Sequence, residues 1–334
     1  MAIVYSLPAI WSAVALQKLE ASLVYGSPLV CNHDYEGEIS DFGSSVKIHG
    51  VNRPVVTPYV RNVAMAAPQI LDDFEKILTI TQADSFNFKV DDIDTAQMLP
   101  KLMGDAMVGA GYEMAVTADL WIASLLAAAA GTTPTDSEIP AQPVLGTIEA
   151  PVPVSVAFTA DPASGESAYE FLVDLGTALT NALIPRGMDR YVIVPPWFVG
   201  VLSKDVRFIG YGGASGNTVL TDGFAGSPGQ NGLAGRAAGF NVIESVHTPS
   251  GTFETPSTES PYLGPDAGEA TYDTLIAGVP SATSFANQIV KGEAFRDPDS
   301  FADRVRGLHV YGAEVVWPER IASAIIAQGS PVAH

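Results

Sequence analysis

The stretch LPKLMGDAMVGAGYEMAVTADLWIASLLAAAA, residues 99–130, decides the fold. Leu99, Leu102, Met103, Ala106, Met107, Ala110, Met114, Ala118, Trp121 and Leu125 recur at helical spacing and make one continuous apolar stripe. The spacing predicts a single long helix, which from Pro100 to Ala130 would span about 45 Å at 1.5 Å per residue. Pro100 fits only its first turn or a kink. Asp91, Asp92 and Asp94 stand just ahead, where carboxylates suit a helix N-terminus. The most apolar part, Met114 to Gly131, carries Asp119 and falls short of the ~20 apolar residues of a membrane span. It reads as a buried helix.

Working toward the N-terminus, residues 30–59 hold Gly37, Gly43, Gly50, Pro54 and Pro58 among short β-branched stretches such as Val46-Lys47-Ile48. This predicts a long extended hairpin projecting from the body. Its return strand falls within residues 75–90, where Leu78 and Ile80, then Phe86, Phe88 and Val90, alternate with their neighbours. Before it, Ile10, Val14, Leu16, Leu19 and Leu23 recur at roughly helical spacing behind Pro8 and predict a helical arm.

Toward the C-terminus, residues 131–165 carry six prolines and read as a linker with an extended strand, Val152 to Phe158. A second helix is expected over residues 166–183, with Tyr169, Leu172, Val173, Leu175, Leu179 and Leu183 on one face and Pro185-Arg186-Gly187 as its stop. Tyr191 to Val194 is a buried strand ending at Pro195-Pro196, followed by a short helix through Trp197 and Leu202. Residues 209–239 read as glycine-rich loops. Residues 240–246, 283–290 and 308–316 read as strands, and 318–327 as a short segment.

Composition bounds the function. The 334 residues are 47% hydrophobic, ample for one or two cores. Lys and Arg number 17 against 37 Asp and Glu, a net charge of −20 that repels phosphate backbones and argues against a general nucleic-acid binder. The single cysteine, Cys31, forms no internal disulfide, and the five histidines lack zinc-type spacing, so no metal or cofactor is expected. The N-terminal stretch has no basic region ahead of its apolar residues, and Lys18 and Glu20 interrupt it; no export signal or membrane partner is expected, and the chain reads as a product of a reducing cytosol.

No local motif carries catalysis. Residues 210–216, GYGGASG, miss a dinucleotide fingerprint because its third glycine falls on Ser215, and no phosphate-cradling lysine follows. Asp91, Asp92 and Asp94 lack the closing glutamate of a calcium loop and suit helix capping better. There is no G-x-S-x-G, and Cys31-Asn32-His33 is too close in sequence for a cysteine nucleophile and its base. Phe86, Phe88, Met103, Met107 and Met114 read as core or subunit-interface residues. A hydrolase with a spatially assembled site stays the rival class.

Six segments in order resemble the coat proteins of tailed phages of actinobacteria. They are Pro8-Ala9-Ile10-Trp11-Ser12 with Leu19-Glu20; residues 32–39, NHDYEGEI, with Val46-Lys47-Ile48; residues 86–94, FNFKVDDID; residues 192–198, VIVPPWF, with 204–208, KDVRF; residues 235–245, GRAAGFNVIES; and residues 307–313, GLHVYGA. The resemblance implies an α+β Hong Kong 97-type capsid fold. It divides the chain into an N-terminal arm (1–29), an extended E-loop and its base (30–90), a spine helix and peripheral domain (91–184), an axial domain (185–280) and a return to the peripheral domain (281–334).

The function so implied is a non-catalytic major capsid protein that assembles as hexamers and pentamers into an icosahedral shell. The shell encloses double-stranded phage DNA without sequence-specific binding, in a virion built in the host bacterial cytoplasm. A decoration or tail protein is the nearest alternative, although it would not need the spine helix. The expected subunit-interface residues are Trp11, Tyr35, Glu36, Arg53, Tyr59, Phe86 and Phe88. Portal and decoration proteins are further expected partners. The match begins within the first ten residues and leaves no room for a scaffolding segment, so assembly is expected to use a separate scaffold protein or none.

Overall fold

A computed structural model describes residues 23–35, 45–51, 56–59, 61–62, 67–68, 70, 73–91, 102–132, 144–155, 166–204, 233–254, 269–296 and 302–329. The glycine cluster at 210–216 and most of the N-terminal arm lie outside them.

The long helix is present as α1, Leu102–Ala129. It ends where Gly131 takes a left-handed φ of 76°, which glycine adopts without a Cβ penalty. Its buried side chains differ from the expected stripe. Met107, Met114 and Ala118 are buried as predicted, but Ala106 is exposed and Trp121 and Leu125 are half-buried. The face is completed instead by Ala115, Asp119, Ile122 and Leu126. Residues 106–129 are also long and apolar enough to cross a membrane by length and composition, contrary to the sequence estimate. Packing makes α1 a core helix: its buried face joins the main hydrophobic core, with Asp119 hydrogen-bonded inside it.

The described strands form three sheets. The hairpin pairs β1 (Ser45–Val51) with β2 (Asp73–Thr79), antiparallel from Ser45 opposite Thr79 to Val51 opposite Asp73. The expected return strand is in fact two. After Ile80 and Thr81 the chain enters β3 (Gln82–Asp91), which leaves the hairpin and joins a three-stranded sheet. Asp91 therefore ends a strand rather than capping the helix, while Asp92 and Asp94 lie outside the described residues.

The nine-stranded sheet takes β4 (Val144–Leu145), β5 (Val152–Ser155) and β6 (Glu166–Ser167) along one side. The second helix, α2 (Ala168–Asn181), buries Phe171, Leu172, Leu175 and Leu179. Val173 and Leu183, expected on that face, are exposed; Leu183 turns left-handed (φ 66°) past the helix end. Arg190 caps this end, donating to the Gly176 carbonyl (2.9 Å), Thr180 Oγ1 (3.0 Å) and the Ile184 carbonyl. It opens the fully buried β7 (Arg190–Val194), and α3 (Pro196–Lys204) follows with Pro196 in its first turn.

Part of the supposed glycine-rich loop is strand: β8 (Leu233–Ala237) hairpins with β9 (Phe240–Glu244), and β9 runs parallel to β7. Next come β10 (Ser250–Glu254) and β11 (Glu269–Gly278), both unforeseen. The strands expected at 283–290 and 308–316 extend to β12 (Thr283–Arg296) and β13 (Ala302–Val315). A 3-10 turn, Pro318–Arg320, leads into β14 (Ile321–Gln328). The nine-stranded order is β6-β5-β14-β11-β7-β9-β8, with β10 on β11 and β4 on β14; the other sheet is β12-β13-β3. Helix α1 touches β3, β11, β13 and β14, and so ties both sheets together.

Candidate subunit interface

The hairpin is anchored by a small core of its own. Ile48, Leu78 and Ile80 pack with Ala286, Val310 and Val316, and Phe74 meets the Trp317 ring edge-on at 4.8 Å. Only glycine fits at 312, because a Cβ there would stand 2.5 Å from the Thr79 carbonyl oxygen. Lys47 and Glu75 pair at 2.7 Å on the exposed side, where solvent screening leaves such a bridge worth little. Beyond the paired strands Val56, Tyr59 and Ile70 are 91%, 76% and 87% exposed. Large apolar side chains that open to water have no fold-level reason to be there, and are what an assembling surface presents.

On β3, Phe86 and Phe88 stack at 6.0 Å and pack on Met107 of α1 and Val305 of β13. Beside them lies an open hollow of about 320 Å³ lined by Ser85, Phe86, Asn87, Glu293, Arg306, Gly307 and Leu308. Arg306 lies 4.9 Å over the Phe295 ring and donates to Glu293 from Nε at 3.0 Å.

The carboxylate of Asp119 joins the start of the described chain to α1. Its Oδ2 accepts from the Val24 N–H at 2.7 Å, and its Oδ1 from Tyr25 (3.0 Å) and Gly26 (3.1 Å). Burial pushes its pKa up to about 7 against the pull of these three donors. Sequence reading treated Asp119 only as an interruption of an apolar run. The signal was present, because a carboxylate inside a buried stripe must find donors.

Among the described residues the buried ionisable groups serve packing and hydrogen bonding. Burial raises the Cys31 pKa well above the ordinary thiol range, leaving an inert thiol. Among the described residues no group of three or more His, Cys, Asp or Glu could hold a metal.

A family profile described as phage capsid protein matches residues 73–324. The chain belongs to the phage capsid protein family. A solved structure from Mycobacterium phage Che8 is 25% identical, with 88% of each chain covered and a TM-score of 0.54. The capsid of the cyanophage P-SCSP1u is 17% identical over 87% of this chain and 85% of that one, with a TM-score of 0.58. The capsid of Ralstonia phage GP4 is 11% identical over 92% and 89%, with a TM-score of 0.59. No curated protein matches. The fold is the Hong Kong 97-type capsid fold, α+β, as the resemblance implied. This capsid protein is a shell subunit of the virion, of a structural rather than catalytic class, and its partner is itself.

The expected interface residues separate into three groups. Tyr59 is exposed on the hairpin side. Tyr35, Phe86 and Phe88 are half-buried within the capsid protein's own packing, Tyr35 against the hairpin core. Trp11, Glu36 and Arg53 lie outside the described residues. Val56 and Ile70 join Tyr59 as exposed apolar positions that sequence reading passed over, because a lone Val or Ile in a loop gives no periodicity.

Proposed function

We propose that this capsid protein closes an icosahedral shell as hexamers and pentamers around double-stranded DNA, with the hairpin as the arm that reaches a neighbouring copy. The observation that carries this reading is the exposure of Val56, Tyr59 and Ile70 beyond the β1–β2 pairing. Residues 30–90 then serve as the E-loop and its base, 1–29 as the arm, 91–184 as spine and peripheral domain, 185–280 as axial domain and 281–334 as the return. Tyr35, Phe86 and Phe88 stiffen the arm's base, and Trp11, Glu36 and Arg53 contact neighbours. The net charge of −20 keeps the wall from gripping the genome. Cys31, a buried free thiol, accords with assembly in the bacterial cytoplasm. A scaffold, a portal and a decoration protein complete the partners.

The test is Val56→Ser, Tyr59→Ser and Ile70→Ser combined. These side chains contribute little to the isolated subunit, so its melting transition stays in place while closed particles fail to form. Normal particles from the triple variant would remove the hairpin from the contact between copies.

A further inference from the structure

The three-stranded sheet turns one face to α1, through Phe86, Phe88 and Val305 on Met107. Its other face is covered over only part of its length. Arg304, Arg306, Leu308 and Val310 alternate onto that face along β13, and their partners Lys89, Asn87, Ser85 and Ala83 on β3 share it. The hairpin base lies over Val310 and Gly312 and ends at Leu308. Past Leu308 the face is open and holds the hollow of about 320 Å³, with Ser85, Asn87, Glu293 and Arg306 around it. This open end is cationic in a chain that is not. Among the described side chains Lys89, Arg304 and Arg306 stand there against one carboxylate, Glu293, whereas the whole chain carries 37 acidic residues to 17 basic ones. Glu293 accepts from Arg306 Nε at 3.0 Å. Lys89 and Arg304 face each other directly across β3 and β13, where like charges weaken strand pairing and an acid from outside relieves them.

We propose that this open end of the sheet is a docking surface for a second copy of the chain, whose carboxylates seat against Lys89, Arg304 and Arg306 beside the hollow. Charge complementarity selects the occupant. Two copies that each carry −20 repel over most of their surfaces, and a cationic patch is where an acidic copy approaches at a gain. A nucleic acid fits less well, because Glu293 stands inside the patch and the rest of the chain repels phosphates. The half-buried Leu308 and Phe295 add apolar surface beside the charges, as the buried part of a protein contact does. The contact rests on the shell reading, since it needs copies that assemble.

The experiment assembles the full-length protein from equal parts of isotope-labelled and unlabelled chains and treats it with a carbodiimide, which joins an amine to a carboxylate in direct contact. Mass spectrometry of the particles should find Lys89 joined to an Asp or Glu in peptides of mixed isotope content, and the unassembled subunit should give none. Particles without such a link at Lys89 would overturn the contact. A second arm combines Lys89→Glu with Arg304→Glu, which leaves two like charges facing each other as before and so spares the strand pairing. The melting transition should stay in place while light scattering shows assembly slowed by roughly tenfold or more. Assembly of the double variant at the unaltered rate would count against the proposal, and the crosslinking arm decides it if the variant folds poorly. A short DNA duplex bound by the unaltered protein and not by the double variant would assign the face to nucleic acid and overturn it too. Closed shells that lack the Lys89 link remove only this contact, whereas no shells at all from the unaltered protein take the shell reading down with it.

Discussion

Asp119 and His309 are both buried ionisable residues, but their surroundings differ. Asp119 gathers three backbone donors across more than ninety positions of sequence. Asp119→Ala leaves these donors without an acceptor and should cost about 3 kcal/mol. Asp119→Asn keeps one acceptor oxygen and should cost less, as chemical denaturation of the two variants can measure. His309 is fully buried between β12 and β3, stacks on Tyr311 at 4.8 Å, and has no hydrogen-bond partner at either ring nitrogen among the described residues. Burial lowers its pKa to about 4, with Asp84, which accepts from the Tyr311 hydroxyl at 2.8 Å, pulling the other way. The unfolded chain binds this proton more readily than the folded one, so the contribution is complete above the ordinary value of about 6.5 and is lost as pH falls toward 4. The denaturation midpoint of the subunit should therefore drop over that window, and His309→Phe should flatten the drop. An unchanged slope in the variant would assign the effect to other groups. Met107→Asp places an uncompensated charge among Val305, Phe86 and Phe88 and should cost more than about 4 kcal/mol; soluble protein with an unchanged melting transition would contradict the packing of α1 on the β3 sheet.

The hairpin and the body meet where Gly312 passes beneath Thr79 and Ile80. Gly312→Val should push the two strands off their base and open residues 45–79 to limited proteolysis, while β7 and β11 stay protected. This crossing was not legible in the sequence, because it depends on residues far apart in the chain. What was legible had strong local pattern: α1, α2 and β7, apolar from Tyr191 to Val194, were each readable to within a few residues. Strand β8, Leu-Ala-Gly-Arg-Ala, has no β-branched residue and becomes a strand only through its pairing with β9. Strand β11 alternates polar residues with Ala270 and Tyr272 over its first half and pairs with β10, β14 and β7. The return strand was read as one because its alternation runs through Thr81 almost unbroken, although the chain changes sheets there. The stripe on α1 was read one residue askew at Trp121 and Leu125, because Ile122, Leu126 and Asp119 fall on the face that residues 23–30 cover, a contact that periodicity does not report. Of the candidate interface, only Tyr59 was named in advance and is exposed.

At the scale of the whole molecule, a chain carrying −20 must bring many copies of itself together. Like charges at those contacts oppose assembly, and salt shortens their reach to about 8 Å at 0.15 M ionic strength. Assembly followed by light scattering should accordingly speed up as salt is raised from about 0.01 M toward 0.15 M. A slower rate in salt would mean that attraction between opposite charges dominates the contacts instead. On the proposed reading, neighbouring copies cover the exposed Val56, Tyr59 and Ile70. Cryo-electron microscopy of the purified full-length protein under assembly conditions tests this directly. The account predicts closed shells in which five- and six-membered rings of the chain are joined through the hairpins; a uniform population of single subunits with no rings, tubes or shells would contradict it.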